Sequence, residues 1–175
     1  MAANIIPDKL IDYALFLNGD EKLGTGDVSL PDLEAMTETV KGNGINGEVE
    51  MPTLGMLGKL PLKISWRTIT RDLTELAAPK AHDIETRGAQ QQYDSGTGEM
   101  IVRSIRVVAR ALPKKTGLGK FAVASTTGSS TEMEYVYFKM EIDGKTVIEI
   151  DKFARICNIN GKDYFASVKA ALGIK

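Results

Sequence analysis

The chain has 175 residues, of which 43% are hydrophobic and 26% charged, and its formal net charge at pH 7 is −1. This length supports one domain with a real core, and the composition is ordinary for a soluble globular protein. No apolar run approaches the length of a transmembrane helix, and the N-terminus lacks the basic start and long apolar segment of a signal peptide.

Turn signals recur along the chain and separate short runs rich in β-branched and aromatic residues. This pattern predicts a mainly β protein, with a mostly antiparallel sandwich or barrel-like core in a single domain spanning residues 1–175. Two short helices are predicted, at Asp72–Ala78 and Asp163–Leu172. In chain order, the predicted strands are Tyr13–Asn18, Thr37–Lys41, Leu60–Thr68, His82–Tyr93, Met100–Leu112, Phe121–Ser125, Met133–Ile142 and Thr146–Asp151, with Phe153–Ile159 as a further candidate.

The longest stretch without a clear pattern covers about residues 42–59. A loop of this length is usually functional or disordered. Its exposed Met and Leu side chains favour a surface that binds a partner. Its glycines at 42, 44 and 47 match G-x-G-x-x-G, but the acidic segment Glu48–Pro52 follows in place of the helix that a dinucleotide site needs. A glycine-rich turn is therefore the better interpretation.

Charge is unevenly spread: residues 8–50 hold ten acids and three lysines, whereas residues 101–120 hold six bases and no acid. These segments are either two solvated surfaces or complementary patches that meet between copies of the chain. Arg106 and Arg110 lie on the face of the predicted strand opposite Arg103 and its apolar row. The second interpretation predicts intersubunit charge contacts that involve Glu48, Glu50, Arg106 and Arg110.

No residue pattern indicates catalysis, a cofactor or a metal site. His82 is the only histidine and Cys157 the only cysteine, so a usual zinc site is excluded and no nucleophile–base pair is recognisable. The single cysteine fits a reducing cytoplasm; a buried inert thiol is favoured over a reactive one. The basic segment could meet phosphates, but it lacks interleaved aromatic residues for base stacking, which disfavours tight nucleic-acid binding.

The most informative segment is residues 135–151, where two strand-like runs flank Asp143–Gly144. Asp-Gly fits a type I′ turn and predicts a β-hairpin. On its first strand, Phe138 shares an apolar face with its alternate neighbours, and the opposite face is amphipathic. Neither face looks freely solvated, so the second face is expected to meet a neighbouring copy or a water-filled channel. That second face contains Tyr135, Tyr137 and Lys139.

This hairpin resembles one near the C-terminus of phage major tail tube proteins from contractile tails. Other pieces resemble the same family in the same order, and together they span roughly residues 13–174. No piece is specific alone, but their order and spacing make the resemblance strong. These further pieces are Leu15–Gly19, Ser29–Leu33, Gly42–Gly47, Leu62–Trp66, Tyr93–Glu99 and Asn160–Ile174.

The resemblance implies hexameric rings that stack into a hollow tube inside a contractile sheath. The tube would hold a tape-measure protein and later let DNA pass without specific binding, with no membrane involved. Assembly would take place in the cytoplasm of the bacterial host, and the product would be a virion tail. The loop at about 42–59 would pack against the adjacent ring. The residues expected to carry that inter-ring contact are Gly44, Met51, Leu54, Met56 and Leu57.

Three alternatives follow from the sequence. The same fold could form the inner tube of a phage-like bacteriocin or of another contractile injection system. A β-rich binding module with an exposed loop is the alternative from a different class. An enzyme is third, since the chain offers no triad, metal set or phosphate loop.

Overall fold

The computed structural model describes residues 5–24 and 26–174 of the chain. Residues 1–4 lie outside the described residues, and with them lies the start of the N-terminal segment that is expected not to be a signal peptide. The fold is mainly β, as predicted. The helices are α1 (Arg71–Glu75) and α2 (Ala166–Ala171). The strands are β1 (Ile5–Leu17), β2 (Glu21–Lys22), β3 (Gly26–Ser29), β4 (Ala35–Val40), β5 (Val49–Leu57), β6 (Pro61–Trp66), β7 (His82–Asp94), β8 (Glu99–Gly117), β9 (Ser129–Ile142), β10 (Lys145–Asp151), β11 (Ile156–Ile159) and β12 (Lys162–Asp163).

Within the described residues, ten strands form one antiparallel sheet in the order β12-β11-β10-β9-β8-β7-β1-β2, with β6 on the edge of β9 and β3 beyond β6. The strands β4 and β5 pair only with each other and form a separate hairpin. The β9–β10 hairpin turns at Asp143 and Gly144, whose φ angles are 49° and 74°. Two positive φ angles are the requirement of a type I′ turn, so the Asp-Gly prediction is confirmed.

The core lies on one face of this sheet because alternate side chains point to the same side. One row of directly paired residues crosses six strands, and every member of it is buried. The row consists of Leu17, Ile84, Ala109, Phe138, Ile150 and Cys157. The same core cluster includes Trp66 of β6 and Leu73 of α1, so the sheet curls until its β3–β6 end packs over the β1–β7 end. Trp66, the only tryptophan of the chain, is therefore part of the core.

A β-bulge at Val136 changes which face of β9 is buried. Arg110 and Ala111 are consecutive on β8, but their partners Tyr137 and Tyr135 are two residues apart on β9. The extra residue, Val136, shifts the alternation, so Tyr135 lies in the core with 1% of its surface exposed. The expectation that Tyr135 faces a lumen or a neighbour is therefore wrong.

The segment at 42–59 is more ordered than the sequence indicated. Residues 49–57 form β5, which pairs with β4 from Val40 opposite Val49 to Thr37 opposite Pro52, and again at Ala35 opposite Leu57 after a shift in register. The part without strand structure is the turn at about 41–48. This stretch is therefore a long exposed β-hairpin with a glycine-rich tip, here called the projecting hairpin (residues 35–57).

The strand predicted at Phe121–Ser125 does not form. Residues 118–128 are a loop, in which the Lys120 amide donates to the Thr127 carbonyl at 2.9 Å and the Thr127 amide donates to the Arg67 carbonyl at 3.0 Å. Ala124 has a φ of 57°, which an extended strand does not allow. The apolar residues here have no neighbouring strand to pair with, so alternation alone was misleading.

Both predicted helices are present but shorter than expected. In α1 the Thr70 side chain accepts a hydrogen bond from the Leu73 amide at 3.4 Å and caps the N-terminus, and Leu73 and Leu76 are buried. In α2 no residue is fully buried, but Phe165 just before it lies against the projecting hairpin. The helices thus close one side of the core and support the base of the hairpin.

Candidate assembly surfaces

Behind the core row, the opposite face of β7–β10 is lined by charged and polar side chains. This surface is here called the ion-paired face. Five acids and four bases lie on it, so its charge is nearly balanced. Its members are Asp83, Glu85, Arg87, Arg106, Arg110, Tyr137, Lys139, Glu141, Glu149 and Asp151.

Glu85 is the centre of the largest cluster on this face. Its side chain is only 7% exposed and accepts hydrogen bonds from Arg106 at 2.7 and 3.0 Å. Arg87, two residues along β7, also pairs with Glu85 and stacks over the Phe16 ring, with its guanidinium carbon 4.3 Å from the ring centroid. The hydrogen bonds from Arg106, and next those from Arg87, lower the pKa of Glu85 to about 2 although burial opposes this.

Glu141 extends the cluster toward β9. It lies 3.4 Å from Arg106 and 2.7 Å from Lys139, and these partners lower its pKa against the effect of burial. Nearby, the Tyr137 hydroxyl donates to Glu149 at 3.0 Å, and burial together with this carboxylate raises the pKa of Tyr137 to about 12. The Tyr137 hydroxyl therefore stays protonated at neutral pH.

Arg106 and Arg110 are partly exposed, as the sequence predicted, but their charges already have partners within the chain. Arg106 pairs with Glu85, and Arg110 binds Asp83 through two nitrogens at 2.7 and 3.1 Å. The hydrogen bonds from Arg110 lower the pKa of Asp83. The expectation that these two arginines make intersubunit charge contacts stays a prediction; within the chain, both guanidinium groups already pair with carboxylates of the same sheet.

The projecting hairpin presents apolar side chains to solvent. Met51, Leu54 and Met56 are 54%, 51% and 45% exposed, and Gly44 lies at the tip with a φ of 91°. Leu57, at the base, is instead partly buried against the core. The hairpin also exposes the carboxylates of Glu48 and Glu50, of which Glu48 lies 3.3 Å from Lys41.

The base of the projecting hairpin is fixed at two points. Lys152 donates to the Gly58 carbonyl and to Glu134, both at 2.9 Å, and Glu134 also accepts from the Leu60 amide at 2.9 Å. Gly55 approaches Phe165 so closely that a Cβ on it would lie 2.7 Å from the Phe165 ring. These contacts hold the hairpin base against the body of the fold, while its exposed residues project outward.

A second exposed surface is formed by the end of β8 and the loop that follows it, here together called the lysine loop (residues 114–128). Phe121 is 90% and Val123 101% exposed, although the hydrogen bonds to Thr127 tie the loop down. Three lysines and no acid lie in it. The sequence did not reveal this loop, because its apolar residues alternate like those of a strand.

The remaining features concern the cysteine, possible metal ligands and the length of the helices. Cys157 is buried, as predicted, and burial and the nearby Asp163 raise its thiol pKa. Among the described residues, no group of three or more His, Cys, Asp or Glu side chains could hold a metal ion. None of the described helices is long and apolar enough to span a membrane.

The curled sheet, with its polar second face and its exposed apolar hairpin, defines a structural protein built for association. The family described as phage tail tube protein FII matches residues 7–173, and the chain belongs to this family. Its role is therefore that of a tail tube protein, as the sequence pieces predicted.

Two curated relatives agree with this assignment. The chain is 29% identical to the tail tube protein of Escherichia phage P2 over 180 residues, covering 97% of this chain and 99% of the relative. It is 24% identical to the major tail tube protein of Serratia phage KSP20 over 172 residues, covering 97% of this chain and 98% of the relative.

Solved structures share the fold at low identity. A sheath/tube terminator structure from the extracellular contractile injection system PVC, in the extended state, matches with a TM-score of 0.52 and 15% identity, covering 77% of this chain and 96% of that one. A sheath–tube complex of the same system matches with a TM-score of 0.50 and 16% identity, covering 78% of this chain and 90% of that one.

Proposed function

We propose that this chain polymerises into hexameric rings, which stack into the hollow inner tube of a contractile tail. The tube is surrounded by a sheath, holds a tape-measure protein during assembly and conducts DNA during delivery. It is assembled in the cytoplasm of the bacterial host and forms part of the virion tail. The observation that carries the proposal is the ion-paired face, a charged and polar surface on β7–β10 that lies on the side of the sheet away from the core.

In this proposal the ion-paired face lines the lumen. A conduit for DNA must not hold the phosphate backbone, and unpaired lysines and arginines would do so through counterion release. On this face Arg106 and Arg110 are neutralised by carboxylates of the same chain. Tyr137 and Lys139 lie in the same surface and also bind carboxylates, Glu149 and Glu141. DNA would therefore meet closely paired charges and slide.

Lateral association into rings uses the open edge of β1. Among the described residues, β2 pairs with β1 only at Phe16 and Leu17, so no strand covers the edge from Ile5 to Ala14. An uncovered strand edge of this length is a template for pairing with another chain. Ile6 and Leu10 on the same strand are 51% and 50% exposed, which adds apolar surface for a neighbour to cover.

Stacking of rings uses the projecting hairpin. Its exposed Met51, Leu54 and Met56 provide flexible apolar contacts, and the nine residues of β5 span at most about 27 Å. Gly44 lets the tip turn at a positive φ, and Leu57 fixes the base in the core. A head-to-tail contact of this kind repeats without closing, as a tube requires.

The inner tube of a phage-like bacteriocin or of another contractile injection system would use the same surfaces. The protein's own part in the assembly is the same in these particles, because they differ in what is attached to the tube. The phage relatives favour the virion.

A shortened hairpin tests the proposal. Glu38 and Met51 are cross-strand partners, so replacing residues 39–50 with Asn-Gly joins them through a two-residue turn and leaves the base intact. We expect wild-type protein at high concentration to form hollow tubes in negative-stain electron micrographs. The shortened variant should keep its β-sheet circular dichroism but form no tubes. Normal tube growth by the variant would contradict the role of the hairpin. A wild-type chain that stays monomeric would contradict the tube and favour a binding module.

A further inference from the structure

We propose that the lysine loop is the docking site for the projecting hairpin of the next copy along the tube. This inference rests on the proposed function and names the partner of the hairpin. The loop exposes Phe121 and Val123 almost completely, although its backbone is tied to Arg67 and Thr127. An exposed aromatic side chain on a tethered loop loses little conformational entropy on binding, which makes it an effective anchor.

The two surfaces lie at opposite ends of the same strand. In β6, Pro61 pairs with Glu134 beside the base of the projecting hairpin, and Trp66 pairs with Ser129 beside the lysine loop. The six residues of β6 span about 17 Å. The hairpin therefore leaves one end of the fold and the loop leaves the other, so two copies in the same orientation can bring these surfaces together.

The charges of the two surfaces are complementary. The projecting hairpin contains three acids and one lysine, and the lysine loop contains three lysines and no acid. Among the described residues, Lys115 and Lys120 have no ion-pair partner, whereas Lys114 lies 3.8 Å from Glu134. Arg106 and Arg110 already pair with Glu85 and Asp83 of the same chain. The partners of the acidic hairpin in this inference are therefore Lys115 and Lys120.

Both surfaces also combine charge with apolar area. On the hairpin, Glu48 and Glu50 flank exposed Val49, and Met51 follows. On the loop, Lys120 precedes Phe121. A heterologous contact between them would cover the most exposed apolar residues of each end at once.

A pair of charge reversals tests this contact. The loop variant carries Lys115→Glu and Lys120→Glu, and the hairpin variant carries Glu48→Lys and Glu50→Lys. Each variant alone should form at least about tenfold fewer tubes than wild type, because like charges would face each other at every junction. An equimolar mixture should recover tubes, since each hairpin then finds an oppositely charged loop on the other variant.

A matched control separates this effect from net charge. The variant Lys80→Glu with Lys145→Glu changes net charge by the same amount at exposed sites outside both surfaces. It should polymerise like wild type and should not rescue the hairpin variant. Phe121→Ser should also reduce tube formation, and Phe121→Leu should largely retain it.

The outcomes distinguish the inference from the proposed function. Tubes from wild type together with undiminished tubes from the loop variant, or a mixture that fails to recover, would overturn the docking inference and leave the tube proposal intact. A wild-type chain that forms no tubes would overturn both.

Discussion

Removal of the Glu85 charge gives the sharpest stability prediction. In the folded chain the Arg106 and Arg87 guanidinium groups lower the pKa of Glu85 from 4.5 to about 2. A group with a lowered folded pKa stabilises the fold above its unfolded pKa, and this contribution is lost as the pH falls toward the folded pKa. The shift corresponds to an upper limit of about 3 kcal/mol.

The expected effect is smaller than that limit because Arg87 and Arg106 are each 48% exposed and solvent screens their charges. We expect Glu85→Gln to lower the free energy of unfolding by roughly 1–2 kcal/mol at pH 7. The difference from wild type should shrink between pH 5 and pH 2, the window set by the two pKa values of Glu85.

Urea unfolding of the dilute chain measures this difference. Trp66 is the only tryptophan and is buried, so its fluorescence reports loss of the core. Glu99→Gln, on an exposed residue of the same sheet without an ion pair among the described residues, is the control and should change stability little. A Glu85→Gln effect that is absent at pH 7, or equally large at pH 3, would refute the account of the cluster.

Two further substitutions test the packing. Thr131→Val should cost about 1–3 kcal/mol, because it leaves the buried Trp66 Nε1 without the hydroxyl that accepts its hydrogen bond at 3.0 Å, and urea unfolding should show Thr131→Ser to be milder. Gly55→Ala should accelerate hydrogen exchange across residues 35–57, because the added Cβ would overlap the Phe165 ring and because the backbone φ of Gly55, 69°, disfavours alanine. Gly44→Ala, at a φ of 91° with no atom within 4 Å, is the matched control; equal exchange in both variants would contradict the role of the close approach.

Strong local patterns predicted much of the sheet. The β-branched and aromatic runs located β6–β10, and Asp143–Gly144 located the β9–β10 hairpin. The predictions failed where strands are short or carry breakers: β2 and β3 have two and four residues, and β5 contains Pro52 and Gly55. In β5 the residues are mostly exposed, so no core-facing alternation marks it as a strand.

The faces of the strands were predictable only up to the bulges. Alternation placed Tyr135 with Tyr137 and Lys139, but the extra residue Val136 moved Tyr135 into the core. A bulge depends on the neighbouring strand, so a single sequence run does not reveal it.

The ion pairs of the β7–β8 hairpin could have been found from its turn. Asp94 lies opposite Glu99 beside the turn. In an antiparallel pair each step back along β7 is matched by one step forward along β8, so Asp83 is expected opposite Arg110, where the structure places it. The same counting places Arg87 opposite Arg106, beside Glu85. The extension of the cluster to Glu141 needed the third strand, β9, whose register the sequence does not fix.

Electron microscopy of concentrated wild-type protein tests the central claim most directly. End-on class averages should show a hollow ring of six subunits, and side views should show rings stacked into tubes. A chain that remains monomeric at high concentration, or that forms assemblies without a central channel, would contradict the claim that this fold builds a conduit.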